Sequence, residues 1–399
     1  MQDYDVIILG AGAAGLMCAA VAGQRGLRVA VLERAERPGK KILISGGGRC
    51  NFTNLGAGPA NYLSANPHFA KSALARYTPA DFIALVERHG IAWHEKTLGQ
   101  LFCDGSAKQI VQMLLDECPP CVDVVCDADV TGVKRADSPD TGESKPEGPF
   151  IVTAGDASYR APALVIATGG PSIPKMGATD FAYSLARQFG LKVVEPRPAL
   201  VPLTLGGDDV LFRELSGVSA PVRAVAGKTS FDEAALFTHK GLSGPAILQI
   251  SSYWRNGEDI GIAFLPAAEV DWLLAAKRDR PRATIKAVLR DHLPDRLADA
   301  LADRLGIEQE LGNVPDKALR AATRRLANWR FTPNGTEGFA KAEVTIGGIS
   351  TAELSSQTME ARRVPGLYAI GEAVDVTGWL GGYNFQWAWA SGVACGKVV

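Results

Sequence analysis

The sequence predicts an α/β fold, in which a Rossmann-like domain is interrupted by an insert with a mainly-β part and a smaller helical part. Three observations support this prediction. Residues 5–33 have the pattern of a strand, a glycine-rich turn, a helix and a second strand, which begins a parallel sheet. Further apolar strand patterns follow at 163–167 and 366–370. Between these two, residues 192–334 first alternate and then show helical periodicity.

The composition is that of an ordinary globular chain. The 399 residues include 42 Lys and Arg and 43 Asp and Glu, with a formal net charge of -1. This balance excludes a disordered or collagen-like chain and gives no global attraction to nucleic acid. The seven scattered cysteines favour a reducing compartment, so we predict a cytoplasmic location. The uncharged stretch 6–23 follows acidic residues and is interrupted by Gly10, Gly12 and Gly15, so we predict no membrane segment.

The N-terminal turn has the spacing G-x-G-x-x-G. Gly10 would allow a tight turn, Gly12 would let backbone approach a pyrophosphate, and Gly15 would let the helix pack closely on the strand. Glu33 ends the second strand, where this motif places the acid that binds the adenosine ribose. Because its carboxylate would repel a 2′-phosphate, the motif predicts FAD or NAD rather than NADP.

Three later segments carry further candidate ligand groups. Residues 45–54 contain three successive glycines and Arg49, and they resemble the second phosphate and flavin loop of FAD enzymes. Residues 167–170 resemble the Ala-Thr-Gly turn that follows the returning strand of such flavoproteins. At 381–390, two glycines precede a predicted helix whose positive end could face the electron-rich edge of a flavin.

Together these segments resemble the flavoproteins of the aminoacetone-oxidase-like and bile-acid-desaturase-like group, which implies a glutathione-reductase-type FAD-binding domain. The resemblance covers nearly the whole chain and also rests on residues 238–245 and 344–349. It implies non-covalent FAD, with Glu372, or alternatively Asp375, at the ribityl hydroxyls. The residues assigned to FAD are Gly10, Gly12, Ala13, Ala14, Gly15, Glu33, Arg34, Lys41, Ser45, Gly46, Gly47, Gly48, Arg49, Cys50, Asn51, Thr168, Gly169, Gly170, Gly371, Glu372, Asp375, Gly381, Gly382, Tyr383, Asn384 and Phe385.

The cofactor segments lie at both ends of the chain, so the residues between them form an insert. We predict an FAD-binding domain at 1–191 and 335–399, a β-rich substrate or cap domain at 192–266, and a helical part at 267–334. One predicted helix of the helical part carries four cations that could contact RNA. A solvated amphipathic helix is the commoner explanation of such a run, and we favour it. The four are Lys317, Arg320, Arg324 and Arg325.

Two residues are candidates for chemistry. His239 lies in a glycine-rich loop that the insert would bring over the flavin, and it is a candidate acid or base; a structural histidine fits equally well. Cys50 follows Arg49 and could be a reactive thiol, but the dithiol pattern would need a cysteine where Ser45 stands. The C-x-x-C motif at 118–121 follows two acidic residues that oppose thiolate formation, so we predict a structural turn there and no metal site.

The predicted activity is that of an FAD-dependent oxidoreductase. It would pass a hydride between flavin N5 and a small organic substrate, reducing or desaturating a C=C bond or oxidising an amine. Because no second G-x-G-x-x-G occurs, NADH or NADPH could act only as a transient reductant. The resemblance includes enzymes that form dihydrouridine in ribosomal RNA, which gives an RNA-modifying flavoenzyme as one alternative. A non-catalytic FAD-binding scaffold or sensor is another, and the oligomeric state stays open.

Overall fold

The computed structural model describes residues 1–136 and 148–399. Its strands are β1 Gln2–Asp3, β2 Val6–Leu9, β3 Val29–Leu32, β4 Asn51–Asn54, β5 Tyr62–Leu63, β6 Trp93–Glu95, β7 Gln100–Cys103, β8 Val122–Val125, β9 Val130–Arg135, β10 Phe150–Ala154, β11 Ala157–Ala161, β12 Ala163–Ile166, β13 Val193–Ala199, β14 Leu203–Leu205, β15 Ser219–Ala226, β16 Thr229–Phe237, β17 Gly241–Ser243, β18 Ile260–Ala263, β19 Trp329–Phe331, β20 Pro333–Thr336, β21 Val344–Ile349, β22 Leu367–Ala369 and β23 Thr377–Gly378. Its α-helices are α1 Ala13–Gln24, α2 Lys40–Ile44, α3 Lys71–Arg76, α4 Pro79–Arg88, α5 Ala107–Asp116, α6 Phe181–Gln188, α7 Pro245–Ser251, α8 Trp272–Asp279, α9 Ile285–Arg290, α10 Asp295–Leu305, α11 Asp316–Ala327 and α12 Tyr383–Gly396.

The chain forms two compact units, Met1–Arg197 with Val344–Val399, and Pro198–Glu343. A five-stranded sheet in the order β22-β12-β2-β3-β8 lies at the centre of the first unit, and all its neighbouring strands are parallel. β2, β3, β12 and β22 are fully buried, as their apolar sequences require in a sheet with both faces covered. The predicted Rossmann-like α/β fold is confirmed.

Smaller elements complete the first unit. α1 follows β2 through the predicted glycine-rich turn and packs against α12, which comes from the other end of the chain. Two smaller sheets, in the orders β1-β11-β10-β9 and β4-β7-β6, belong to the same unit. Within the described residues, no helix is both long enough and apolar enough to cross a membrane.

The second unit contains a seven-stranded antiparallel sheet in the order β19-β18-β15-β16-β17-β14-β20. The helices α8 to α11 lie in sequence between β18 and β19, which are neighbours in this sheet. The end of the predicted helical part is therefore corrected, because Trp329 and Phe331 are buried on either side of exposed Arg330 and form a strand. The core of this unit is aromatic, and the rings of Phe212 and Phe264 each contact both Trp329 and Phe331.

Candidate cofactor site

The carboxyl ends of three adjacent parallel strands carry glycine-rich loops. β2 leads into residues 10–15, β12 leads into residues 167–170, and β22 leads into residues 371–373. In open α/β sheets, ligands bind in the crevice outside this edge. The topology therefore collects three of the predicted cofactor segments at one place in the first unit.

Two glycines of the first loop have different roles. Gly12 has φ -82° and ψ -170°, which any residue can adopt, and a Cβ there would meet no atom of the chain within 4 Å. A Cβ at Gly15 would overlap the carbonyl oxygen of Gly10 and lie 3.3 Å from the Cβ of Ala167. Gly15 is thus required by the packing of α1, whereas Gly12 leaves open space before the first N–H groups of α1. This space fits the pyrophosphate of a dinucleotide.

The carboxylate of Glu33 is fixed beside the same loop. Its Oε2 accepts a hydrogen bond from the Ala11 amide at 2.7 Å, and its Oε1 accepts one from the Ala35 amide at 2.9 Å. These donors leave further lone pairs for ribose hydroxyls, as the sequence predicts. Arg34, also predicted to bind the cofactor, instead forms an exposed ion pair with Asp129 at 3.3 Å.

A polar network joins α2, just before the predicted flavin loop, to the acidic turn after β22. The Lys41 ammonium donates to Glu372 Oε2 at 2.6 Å and to Ser172 Oγ at 2.7 Å. Glu372 Oε1 accepts hydrogen bonds from the Ser172 hydroxyl at 2.8 Å and the Thr345 amide at 2.9 Å. Glu372 is therefore held in one orientation at the sheet edge. We name Lys41, Ser172 and Glu372 the Lys41 network.

The predicted flavin loop lies against the loop that precedes α12. Gly46, Gly47 and Gly48 have φ values of 56°, 66° and 85°, so three successive residues are left-handed, and Arg49 after them is exposed. The Asn54 side chain donates to the Gly381 carbonyl at 2.9 Å. The two segments, 45–54 and 381–385, are thus brought together as one region, although they are far apart in sequence.

Several residues of this region that the sequence assigns to FAD form contacts within the protein. The Ser45 hydroxyl donates to the Ile42 carbonyl at 2.7 Å. Asn384 accepts from the Gly378 amide at 2.8 Å and donates to the Gly378 carbonyl at 2.9 Å, and the Phe385 ring stacks on Trp389 with centroids 5.6 Å apart. These contacts shape the loops around the cofactor site.

The environment of Cys50 is typical of a structural cysteine. It is fully buried, and burial raises the pKa of its thiol well above the usual value, with the neighbouring Cys103 adding to the effect. Burial, and then Glu117, raises the pKa of Cys118 in the C-x-x-C turn to about 12. We therefore give neither thiol a chemical role. In the parts of the chain that the structure covers, His, Cys, Asp and Glu nowhere form a group of three able to hold a metal ion.

His239 belongs to the second unit, in the turn between β16 and β17. Its side chain is exposed, and the turn is closed by hydrogen bonds between the backbones of Thr238 and Gly241. The Thr238 hydroxyl accepts further bonds from the amides of Lys240 and Gly241. The backbone of this turn is therefore fixed, while the His239 side chain stays exposed.

The four cations of α11 are not equivalent. Lys317, Arg320 and Arg324 follow one exposed stripe at helical spacing, and Arg320 has only a long contact of 3.4 Å to Asp271. Arg325 lies over the Trp329 ring at 4.5 Å and donates to the Arg304 carbonyl at 2.9 Å. Arg325 therefore stabilises the second unit, and the other three form what we name the α11 stripe.

Asp375, the alternative acid for the ribityl hydroxyls, lies at the same sheet edge. Its burial makes the folding free energy depend on pH. It is 3% exposed, its Oδ2 accepts one hydrogen bond from the Ala65 amide at 2.8 Å, and burial raises its pKa above the usual 3.8. The folded state therefore binds this proton more tightly than the unfolded chain does. Binding of this proton therefore stabilises the folded state at low pH, and this stabilisation is lost as pH rises through the pKa of Asp375 in the folded state.

We expect Asp375→Asn to raise the melting temperature of the FAD-free chain at about pH 7, by roughly 2 °C or more. Asparagine keeps the shape and the acceptor oxygen but removes the charge that burial disfavours. The gain should shrink as pH falls toward the usual pKa of an aspartate, about 4, because Asp375 of the unsubstituted chain then takes up its proton. Melting curves at both pH values provide the measurement, and an equal difference at the two would contradict the electrostatic cause.

Two functional positions were missed in the sequence. Ser172, in the Lys41 network, stands two residues after the turn 167–170, and Thr345 lies in the segment 344–349 that carries part of the resemblance. The only sequence signal for them was their nearness to glycine-rich segments. The Ser172 contact depends on the pairing of β12 with β22, and the Thr345 contact depends on β21 lying beside the turn after β22.

Comparison with known proteins places these features in context. A family model described as the HI0933-like protein Rossmann domain matches residues 4–398. The chain is 52% identical over 410 residues to the ribosomal RNA dihydrouridine synthase of Escherichia coli (strain K12), covering 100% of this chain and 98% of that one. It is 47% identical over 402 residues to the Haemophilus influenzae protein of the same name, covering 99% and 98%. It is 29% identical over 415 residues to the 3-dehydro-bile acid delta(4,6)-reductase of Clostridium scindens, covering 98% of each.

Proposed function

Because the chain belongs to the HI0933-like family of Rossmann-domain flavoproteins, we propose that it reduces uridine in ribosomal RNA to dihydrouridine. The observation that carries this proposal is that two relatives matching it over nearly their whole length are ribosomal RNA dihydrouridine synthases. The sequence-based prediction of an FAD-dependent oxidoreductase is confirmed by the family. The RNA substrate, an alternative in the analysis of the sequence, is our leading hypothesis.

The chemistry of the small-molecule hypothesis and that of the RNA hypothesis are close. A uracil ring has a C=C bond conjugated to a carbonyl, and the bile acid relative is named as a reductase. Reduction of uracil adds a hydride to C6 and a proton to C5, and the double bond is lost. FAD, when bound and reduced, supplies the hydride. We propose NADH or NADPH as the source of its two electrons.

The residues of this chain would hold the cofactor rather than react with it. Gly12 and the N-terminal end of α1 would receive the pyrophosphate, and Glu33 would accept from the ribose hydroxyls. The Lys41 network would present the Glu372 carboxylate to the ribityl chain in a fixed orientation. Since these groups are already fixed by contacts within the chain, little reorganisation accompanies binding.

His239 is our candidate for the proton delivered to C5. Its side chain is exposed, so a substrate can reach it. We expect His239→Ala to slow turnover about 100-fold or more while FAD remains bound, since a positioned acid typically contributes this much. Turnover rates and flavin absorbance measured on the same sample provide the check. Lys240→Ala is the neighbouring control, and equal rates for the two variants would exclude His239.

The substrate can be tested directly. Purified chain with FAD and NADH or NADPH is incubated with ribosomal RNA transcribed in vitro, and the nucleosides are analysed by mass spectrometry. The proposal expects uridine that has gained two hydrogens at a defined position. A protein whose flavin is reduced and which reduces a small enone, but which leaves the RNA unchanged, would contradict it and favour the small-molecule hypothesis. A flavin that NADH and NADPH do not reduce, and that passes no electrons to an enone, would favour a sensor.

A further inference from the structure

Three buried hydroxyls at the carboxyl edge of the parallel sheet lack a hydrogen-bond partner. They belong to Thr168, Tyr183 and Thr345, and among the described residues only one other buried side-chain polar atom, Nε of Arg213, shares this condition. Tyr183 and Thr345 are each 1% exposed. A buried hydroxyl without a partner costs folding free energy. We name these three residues the hydroxyl cluster.

Three separate elements bring the hydroxyl cluster together. Thr168 follows β12, Tyr183 lies on α6 and Thr345 lies on β21. A Cβ at Gly170 would lie 2.7 Å from Thr345 Oγ1 and 2.8 Å from the Tyr183 hydroxyl. The two hydroxyls therefore converge beside the turn that follows β12, and glycine at 170 keeps them accessible from that turn.

The hydroxyl cluster adjoins the Lys41 network. The Thr345 amide donates to Glu372 Oε1 at 2.9 Å, so the backbone of Thr345 lies directly beside that carboxylate. A Cβ at Gly169 would lie 3.9 Å from Glu372 Oε2. The unpartnered hydroxyls thus lie at the same edge of the sheet as the groups expected to hold the cofactor.

The Tyr183 hydroxyl stays protonated in this setting and can therefore donate a hydrogen bond. Burial raises its pKa far above the usual value, and the nearby carboxylates of Glu372 and Asp375 raise it further. Neither carboxylate accepts its proton in a hydrogen bond. A donor beside two carboxylates that bonds to neither is available for an acceptor that comes from outside the chain.

We propose that the hydroxyl cluster binds FAD, with Tyr183 and Thr345 donating hydrogen bonds to acceptor atoms of the cofactor. This inference rests on FAD binding, which the family establishes, and does not depend on the RNA substrate. The competing explanation is an ordered water that satisfies the hydroxyls within the fold. The two explanations predict opposite effects when the hydroxyls are removed.

The test uses Tyr183→Phe and Thr345→Val, which keep the shape of each side chain. We expect FAD affinity to fall about three- to tenfold for each hydroxyl, the effect of one lost hydrogen bond. The FAD-free variants should melt at the same or a higher temperature, since a buried group without a partner is gone. Titration of the full, FAD-free chain with FAD, followed by flavin fluorescence, gives the affinity; thermal melting gives the stability.

Tyr4→Phe is the matched control. The Tyr4 hydroxyl donates to Asp123 at 2.8 Å and lies 3.0 Å from Gln2 Oε1, so its removal should leave FAD affinity unchanged. ADP, which lacks the flavin, serves as a second probe. If ADP affinity falls with FAD affinity, the acceptor lies on the ADP part of the cofactor; if only FAD affinity falls, it lies on the ribityl chain or flavin. Unchanged FAD affinity, with lower melting temperatures of the variants, would indicate a structural water and overturn the proposal.

Discussion

Replacing Gly12 by alanine should deprive the chain of FAD while leaving it folded. A Cβ at this position meets no atom of the chain within 4 Å, and the backbone there is allowed for alanine. The added methyl group would instead occupy the space through which the pyrophosphate approaches the first amides of α1. We expect FAD affinity to fall by at least about tenfold, which is roughly 1.4 kcal/mol. Bound flavin after purification and the melting temperature of the FAD-free protein provide the two measurements.

Gly15→Ala is the informative partner of this experiment. Its Cβ would overlap the carbonyl oxygen of Gly10, so α1 could not keep its present distance from the turn. We expect this variant to lose stability even without FAD, by about 1–3 kcal/mol, as in other overpacked cores. If both variants instead lost stability equally, the distinction between the ligand-facing glycine and the packing glycine would be wrong.

Charge reversal along the α11 stripe should weaken RNA binding strongly. The change is Lys317→Glu, Arg320→Glu and Arg324→Glu together, because all three side chains are exposed on one helix face. If each contacts a phosphate, we expect affinity near 0.1 M salt to fall by roughly a hundredfold or more. The slope of log affinity against log salt should become shallower by about 2–3. Binding of a ribosomal RNA fragment at several salt concentrations measures both quantities.

A matched control makes the same change in net charge at three lysines of the first unit. Lys71, Lys108 and Lys134 are exposed, and their replacement by glutamate shifts the charge of the chain equally. Equal losses of affinity in the two triple variants would mean that only overall charge matters. In that case the α11 stripe would be the solvated helix face that the sequence favours.

The parts of the fold that sequence predicts well are those whose signal is local. β2, the glycine-rich turn and α1 lie within one stretch, and the spacing of Gly10, Gly12 and Gly15 states their geometry directly. The sheet of the second unit is harder to predict from the sequence. β19 has only three residues and follows a long helical excursion, so its pairing with β18 depends on contacts that no local pattern records.

The details of the cofactor site were predicted less completely for a related reason. Lys41 and Glu372 stand 331 residues apart in sequence, and their segments, which follow β3 and β22, meet through the strand order β22-β12-β2-β3 of the folded sheet. Residue type also has limited power within a correct segment. Arg34 and Asn384 could bind a ligand by their chemistry, yet their side chains are engaged with Asp129 and with Gly378.

The position of the insert in the chain determines the order in which the protein can be assembled during synthesis. At about 5–20 residues per second, roughly 15–60 s separate the emergence of Lys41 from that of Glu372. During this interval β12 has no β22 beside it, and α1 has no α12 to cover it. The second unit is continuous in sequence and complete by Glu343, so it can fold on the ribosome first. FAD capture is therefore a late event that reports the completion of the first unit.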